Sequence, residues 1–252
     1  MYLETILPIA ALAFLCELVD SSLGMGYGTT LTPIMLALGY EPIVIVPAVL
    51  CSEAITGISA GFFHHEFGNV NFRPGTRDLR IMLVLTGLSL VGVIVAVLIA
   101  VNLPTWSVKL YIGLLVLSLG VVILKNHRSK QVFSWRRIAG LGLLAAFNKG
   151  ISGGGYGPVV TAGQVLAGVR GRTAVGIASL AEGITSVLGV TLYGLSGTAI
   201  DWAFTLPLLL GAMLSVPLSA YIVSRLPAGK LTLLIGGIST ALGSYTLIRL
   251  IS

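Results

Sequence analysis

The sequence predicts an all-α polytopic membrane protein built from two related halves, and three observations carry that prediction. The chain of 252 residues is 56% apolar and only 10% charged, with a mean hydropathy of +0.99, far from the composition of a soluble domain. Charge-free runs such as 81–101, 110–124, 202–223 and 231–248 are each about long enough for a helix to cross a hydrocarbon core of roughly 30 Å. Residues 23–69 recur, without a gap, 129 residues further on. Gly24, Gly26, Tyr27, Gly28, Thr32, Gly39, Glu53, Ile55, Thr56 and Gly68 match Gly153, Gly155, Tyr156, Gly157, Thr161, Gly168, Glu182, Ile184, Thr185 and Gly197.

The first stretch carries Glu4, Glu17 and Asp20, has no basic leader and no small-residue cleavage site, and reads as retained structure. In each copy a glycine-rich stretch then interrupts an apolar region. Residues 5–19 precede and 29–38 follow the first interruption; 138–148 precede and 158–167 follow the second. Pieces of about 10 to 15 residues rise only some 15 to 22 Å, so each is expected to be too short to span. Together they predict either a re-entrant hairpin or one long broken helix. Three full-length segments follow each break: 42–64, 81–101 and 105–124, then 173–195, 202–223 and 231–251.

The basic residues discriminate between the two arrangements. If each broken segment returns to its own side, Arg73, Arg77, Arg80, Lys125, Arg128, Lys130, Arg136, Arg137, Arg170, Arg172, Arg225 and Lys230 share one face, twelve of the fifteen basic residues. If each crosses, the last four of these move to the opposite face and the asymmetry that orients membrane proteins weakens. The re-entrant reading is therefore preferred, with eight spans and a broken first helix in each repeat as its alternative. Three crossings per copy is an odd number, so residues 127–252 are expected to insert upside down relative to residues 1–126. This makes an inverted repeat with both termini outside. Short Gly-interrupted segments at equivalent places in two halves point to a transporter with its site near the midplane and alternating access.

The stretches Gly24–Gly28 and Gly153–Gly157 permit unwound backbone inside a membrane. Thr29 and Pro158 suit the first positions of the half-helices that follow, since proline lacks an N–H that is not needed there. Two half-helix N-termini would then aim partial positive charge at the midplane and attract an anion. The expected substrate site comprises Gly24, Gly26, Tyr27, Gly28, Thr29, Thr32, Asn148, Lys149, Gly153, Gly155, Tyr156, Gly157 and Thr161. The plainer account of the glycines is close helix packing.

Glu53 and Glu182 fall near bilayer mid-depth, where an ionisable group costs about 2.5–3.5 kcal/mol and commonly marks an ion or proton pathway. They either exchange protons or brace backbone freed at the breaks, and Glu17 and Asp20 belong to the same set. Asp20 and Lys149 occupy equivalent positions with opposite charge. A cation suits the C-terminal end of a half-helix and an anion does not. Either the two neutralise each other or Lys149, with Asn148, holds the anion. His64 and His65 read as a solvated helix end, Trp106, Trp135 and Trp202 as interfacial anchors, and Cys16 and Cys51 as packed free thiols without metal-ligand spacing. The net charge of +6 collects in short loops, which argues for membrane orientation and against nucleic acid. No cofactor motif is present.

Other classes fit less well. The run Gly150-Ile151-Ser152-Gly153 has the form of the rhomboid protease serine motif, but every histidine (His64, His65, His127) lies upstream, where those proteases place their base downstream. The doubled Gly-Tyr-Gly evokes a potassium-channel filter without the threonine-valine lead-in. An anion channel using the same pore stays open beside a carrier.

The glycine-rich breaks at both repeat starts, the Thr or Pro after them, the embedded glutamates and the segment His64-His65-Glu66-Phe67-Gly68-Asn69-Val70-Asn71-Phe72 together resemble the TauE/SafE family of sulfite exporters over nearly the whole chain. That resemblance implies a carrier of small sulfur oxyanions or organosulfonates such as sulfite, thiosulfate, sulfoacetate or sulfolactate in the bacterial inner membrane. It implies export, with no enzymatic activity and no cofactor, and it is compatible with a homo-oligomer. The family's glycine motif maps onto Gly24–Gly28 and Gly153–Gly157; the first copy reads Gly-Met-Gly-Tyr-Gly, less purely glycine than is common there. An anion leaving an interior-negative cell gains roughly 2.3 kcal/mol per 100 mV, so export needs no coupling, whereas uptake needs protons or another cation.

Overall fold

A computed structural model describes residues 2–24, 27–100, 105–126, 132–152, 156–195 and 197–251, and every regular element among them is α-helical. In chain order these are α1 (Tyr2–Leu23), α2 (Tyr27–Ala37), α3 (Pro42–Glu66), α4 (Arg77–Ala100), α5 (Thr105–Asn126), α6 (Trp135–Ser152), α7 (Tyr156–Leu166), α8 (Gly171–Leu195), α9 (Trp202–Arg225) and α10 (Ala228–Ile251). The six full-length segments read from hydropathy correspond to α3, α4, α5, α8, α9 and α10. Five stretches among the described residues are long and apolar enough to cross a membrane: Ile6–Leu23, Val44–Glu66, Gly171–Leu195, Trp202–Arg225 and Gly229–Ile248. The bundle is arranged for lipid. On α9 the exposed residues Leu206, Leu210, Leu214 and Leu218 recur every fourth position, while Ser215 and Ser219 are buried. That is an amphipathic helix with its polar face turned inward.

One expectation needs correction. The pieces before the glycine breaks are not short: α1 runs 22 residues and α6 runs 18, and α1 is long enough to span by itself. Glu17, Asp20 and Ser21 do not stop α1, because Ser21 donates back to Glu17 one turn earlier and the helix continues to Gly24. That glycine adopts a left-handed φ of +69°, which ends a helix without a Cβ penalty. The half-helices also begin two residues earlier than expected, at Tyr27 and Tyr156 rather than Thr29 and Pro158.

The most extensive contacts join α1 to α9, α4 to α6, α5 to α10 and α3 to α8, so each pair takes one helix from each half. The α3–α8 pair runs antiparallel along its length: Leu50 packs at Gly189, Glu53 at Ser186, Gly57 at Gly183, Leu180 at Gly61, and His64 at Gly176. At the crossing the backbones nearly touch, and a Cβ on Gly57 would stand 2.7 Å from Ser179 O. The α5–α10 pair is antiparallel too, with Gly113 against Leu247, Leu117 at Gly243 and Ile123 at Gly236.

Both broken segments return toward their starting level. Leu141 of α6 packs at Gly163 and Arg137 reaches Leu166 O, so α6 and α7 are antiparallel; Ser134 N–H then bonds Ala167 O (3.1 Å) beside the start of α6. In the first half, α1 and α3 run the same way, since Glu17 meets Thr56 and Ser21 meets His64, and α2 carries the chain back between them. This is the hairpin arrangement preferred from the basic loops. Those loops are stitched together at one end: Thr173 Oγ1 donates to Asn69 O, Arg172 to Leu226 O, Gly168 lies against Phe133, and the Arg77 guanidinium stands 4.9 Å from the Phe133 ring centroid.

Candidate functional site

The first break meets the second half-helix in the interior. Thr161 Oγ1, inside α7, donates to the carbonyl of Gly24 in the first break (2.7 Å), and any side chain at Gly24 would collide with that hydroxyl. Thr32 lies at the equivalent place in α2. Tyr27 and Tyr156 open the two half-helices and are both about 1% exposed. The Tyr27 phenol lies 3.0 Å from Ser52 Oγ, and Ser89 Oγ donates to Tyr156 Oη at 2.8 Å, with Thr185 bonding the same phenol. Each tyrosine therefore spends its polar end inside the bundle, as buried hydroxyls must.

The acidic residues gather at the start of α2. Glu17 is 1% and Glu53 is 7% exposed. Ser21 Oγ donates to Glu17 Oε1, and Thr56 Oγ1 lies 3.3 Å from Glu17 Oε2 while also bonding Ser52 O. Ser186 Oγ of the second half donates to Glu53 Oε2 at 3.2 Å, and Glu53 Oε1 sits over Gly28, 2.7 Å from where a Cβ would be. Asp20 accepts the backbone N–H of Tyr27, the first residue of α2. Glu17 and Asp20 lie within electrostatic reach of each other and of Glu53 and Glu182. Asp20 thus belongs electrostatically to the N-terminus of α2, where an anion is favoured, rather than to the C-terminus of α1.

Of the remaining expected site residues, Gly157 is buried in the first turn of α7. Asn148 and Lys149 lie in the last turns of α6 and Thr29 in the first turn of α2, but their side chains fall outside the description, as do residues Gly26, Gly153 and Gly155 altogether.

His64 does not form a solvated helix end. It is fully buried, and its Nε2 lies 2.8 Å from Ser21 O. A carbonyl only accepts, so Nε2 carries the proton and Nδ1 accepts from Asn69 Nδ2 at 3.0 Å. The same Asn69 amide donates to Ala220 O (2.8 Å), which ties α1, α3 and α9 together near the basic loops. His65 is partly buried, with Nδ1 3.2 Å from Val70 O and 3.3 Å from Phe72 N in the following loop, its tautomer deciding which of the two it bonds. Ser21, Ser52, Ser89, Ser186, His64 and Asn69 are the polar partners that periodicity missed. Only Ser21 left a local signal, four residues after Glu17 on the same helix face. Cys16 and Cys51 are buried free thiols, and Trp106, Trp135 and Trp202 are exposed at helix ends.

A bundle that turns apolar faces outward and gathers carboxylates, hydroxyls and two helix breaks within belongs to the class of polytopic membrane transporters. The family model described as Sulfite exporter TauE/SafE matches residues 9–246, and the chain belongs to that family. Among its relatives is the probable membrane transporter protein YtnM of Bacillus subtilis (strain 168), 28% identical over 261 residues that cover 98% of this chain and 84% of that protein. No solved structure matches the chain.

Proposed function

We propose that this protein is a secondary carrier that exports small sulfur-containing anions, such as sulfite, thiosulfate or short organosulfonates, by alternating access. One observation carries the reading of its site: the start of α2 already holds two carboxylates of the chain itself, Asp20 on the Tyr27 N–H and Glu53 over Gly28. Those groups already take the N–H and the space that a further anion would need there. The second half carries Lys149, in the last turn of α6 ahead of α7, where the first half has Asp20. The half-helix ends are therefore unequal: Tyr156, Gly157, Lys149 and Asn148 receive the anion, and Glu17, Asp20, Glu53 and Glu182 form the proton-handling side.

The antiparallel pairing of equivalent helices α3 with α8 and α5 with α10 supports an inverted relation between residues 1–126 and 127–252. Such repeats rock about a fixed midplane site. By the positive-inside bias the basic face is cytoplasmic and both termini are outside a bacterial inner membrane. The chemistry is transport rather than bond breaking.

The test is flux in proteoliposomes loaded with sulfite, thiosulfate or a short sulfonate, with and without a pH gradient. Saturable flux is expected, faster under a potential that expels anions. Glu53→Gln and Glu182→Gln are expected to change its response to the pH gradient, and Lys149→Gln to raise the half-saturating anion concentration. Single-channel current steps would replace the carrier with a channel. Unaltered pH response in both glutamine variants would leave those glutamates as braces.

A further inference from the structure

A groove of about 270 Å³ opens between α6 and α7, lined by Arg137, Gly140, Leu141, Leu144, Gly163 and Leu166. It has a separate location from the carboxylates and lies at the outer seam of the second hairpin. Its origin is visible in the sequence. Gly163 lets Leu141 approach so closely that no Cβ fits, which brings the two helices together. Gly140 is exposed, and nothing stands within 4 Å of where its Cβ would be. Glycine is unfavourable inside a helix, and no packing contact requires it at this position; its effect is to leave the groove open. Leu143 and Leu144 are exposed beside it, so the groove faces the hydrocarbon.

The mouth has the opposite character. Trp135, Arg136 and Arg137 form the first turn of α6, at the end where the basic loops gather, and all three are exposed. Arg137 Nη1 donates to Leu166 O (3.1 Å), one of the carbonyls that the end of α7 leaves without a helical partner. That bond fixes the guanidinium at the head of the groove with its other N–H groups turned to no carboxylate among the described residues. An apolar channel a few methylenes long beneath two neighbouring cations, one of them held in place, complements one class of molecule in a bilayer.

We propose that this groove binds an anionic glycerophospholipid of the leaflet at the basic face, one acyl chain lying along Gly140 and Leu144 and the phosphodiester resting on Arg136 and Arg137. A lipid seated there fastens α6 to α7, the hairpin that carries the second glycine break. The inference rests on the groove alone and stands whether or not the transported anion is a sulfur compound.

The experiment uses the full chain in phosphatidylcholine nanodiscs, with phosphatidylglycerol or phosphatidylcholine carrying a photoreactive acyl chain, and maps labelled peptides by mass spectrometry. The expected result is labelling of residues 138–145 and 163–167 that is stronger for phosphatidylglycerol, together with a rise in melting temperature as unlabelled phosphatidylglycerol is added. Gly140→Leu, whose Cβ meets no atom within 4 Å, puts its side chain into the groove and is expected to lose both label and rise. Arg136→Gln, which leaves the Arg137 bond intact, is expected to bring the two lipids toward equal labelling. Equal labelling of the unsubstituted protein by both lipids, labelling elsewhere, or a signal indifferent to Gly140→Leu would overturn the proposal.

Discussion

Asn69 shows how much one polar side chain can hold in a membrane bundle. Its side-chain amide donates to His64 Nδ1 and Ala220 O while its backbone carbonyl accepts from Thr173 Oγ1, so α3, α8 and α9 meet on a single residue. Asn69→Ala leaves the His64 Nδ1 buried without a donor and cuts the tie to Ala220 O, which costs about 1–3 kcal/mol. A lowered melting temperature in detergent is the expected readout, and an unchanged one would remove this role. Gly24 is constrained twice, by its left-handed φ and by the Thr161 hydroxyl standing where a Cβ would go. Gly24→Ala is expected to destabilise by more than about 1 kcal/mol, and Thr161→Val, which removes only the hydrogen bond, by less. Thermal melts of the two variants side by side check that ordering. Sequence reasoning found Glu17, Glu53 and Asp20 because charge inside an apolar run is conspicuous. It missed Ser52, Ser89 and Ser186, because serine is ordinary in membrane helices and only a partner on another helix distinguishes it.

At the scale of elements, the glycines divide into kinds that the sequence does not separate. Gly39 and Gly168 stop α2 and α7 with φ of +91° and +89°, matching positions that end matching helices. Gly57 and Gly183 do something else: they let α3 and α8 cross backbone to backbone. Gly183→Leu would drive a side chain into Ile58 N and Gly57, so loss of folded protein on size exclusion is the expected outcome. Gly194→Leu, where no atom lies within 4 Å of a Cβ, is the matched control and is expected to be tolerated. The lengths of α3, α8 and α9 followed from hydropathy. Those of α1 and α6 did not; in α1, Glu17, Asp20 and Ser21 read as the end of an apolar run while the helix, with Ser21 satisfying Glu17, continues past them.

For the whole molecule, the arrangement of loops makes a topological prediction. Single cysteines at Arg73 and Arg170, in a Cys16→Ala/Cys51→Ala background, are expected to share a side. Both should resist an impermeant thiol reagent in intact cells and react once the membrane is opened, while a cysteine at Thr198, in the turn between α8 and α9, reacts from outside. Opposite accessibility of Arg73 and Arg170 would revive the eight-span alternative.

The duplication, the six full-length helices and the pair of breaks were determined by the sequence itself, because hydrophobic length and a repeated pattern are one-dimensional properties that a bilayer reads directly. Which helix each half lends to the other was decided only in three dimensions. So was the seating of Asp20 and Glu53 on the start of α2. A carboxylate's surroundings are set by helices far away in the chain, and no local spacing encodes where the end of one helix will meet the side of another.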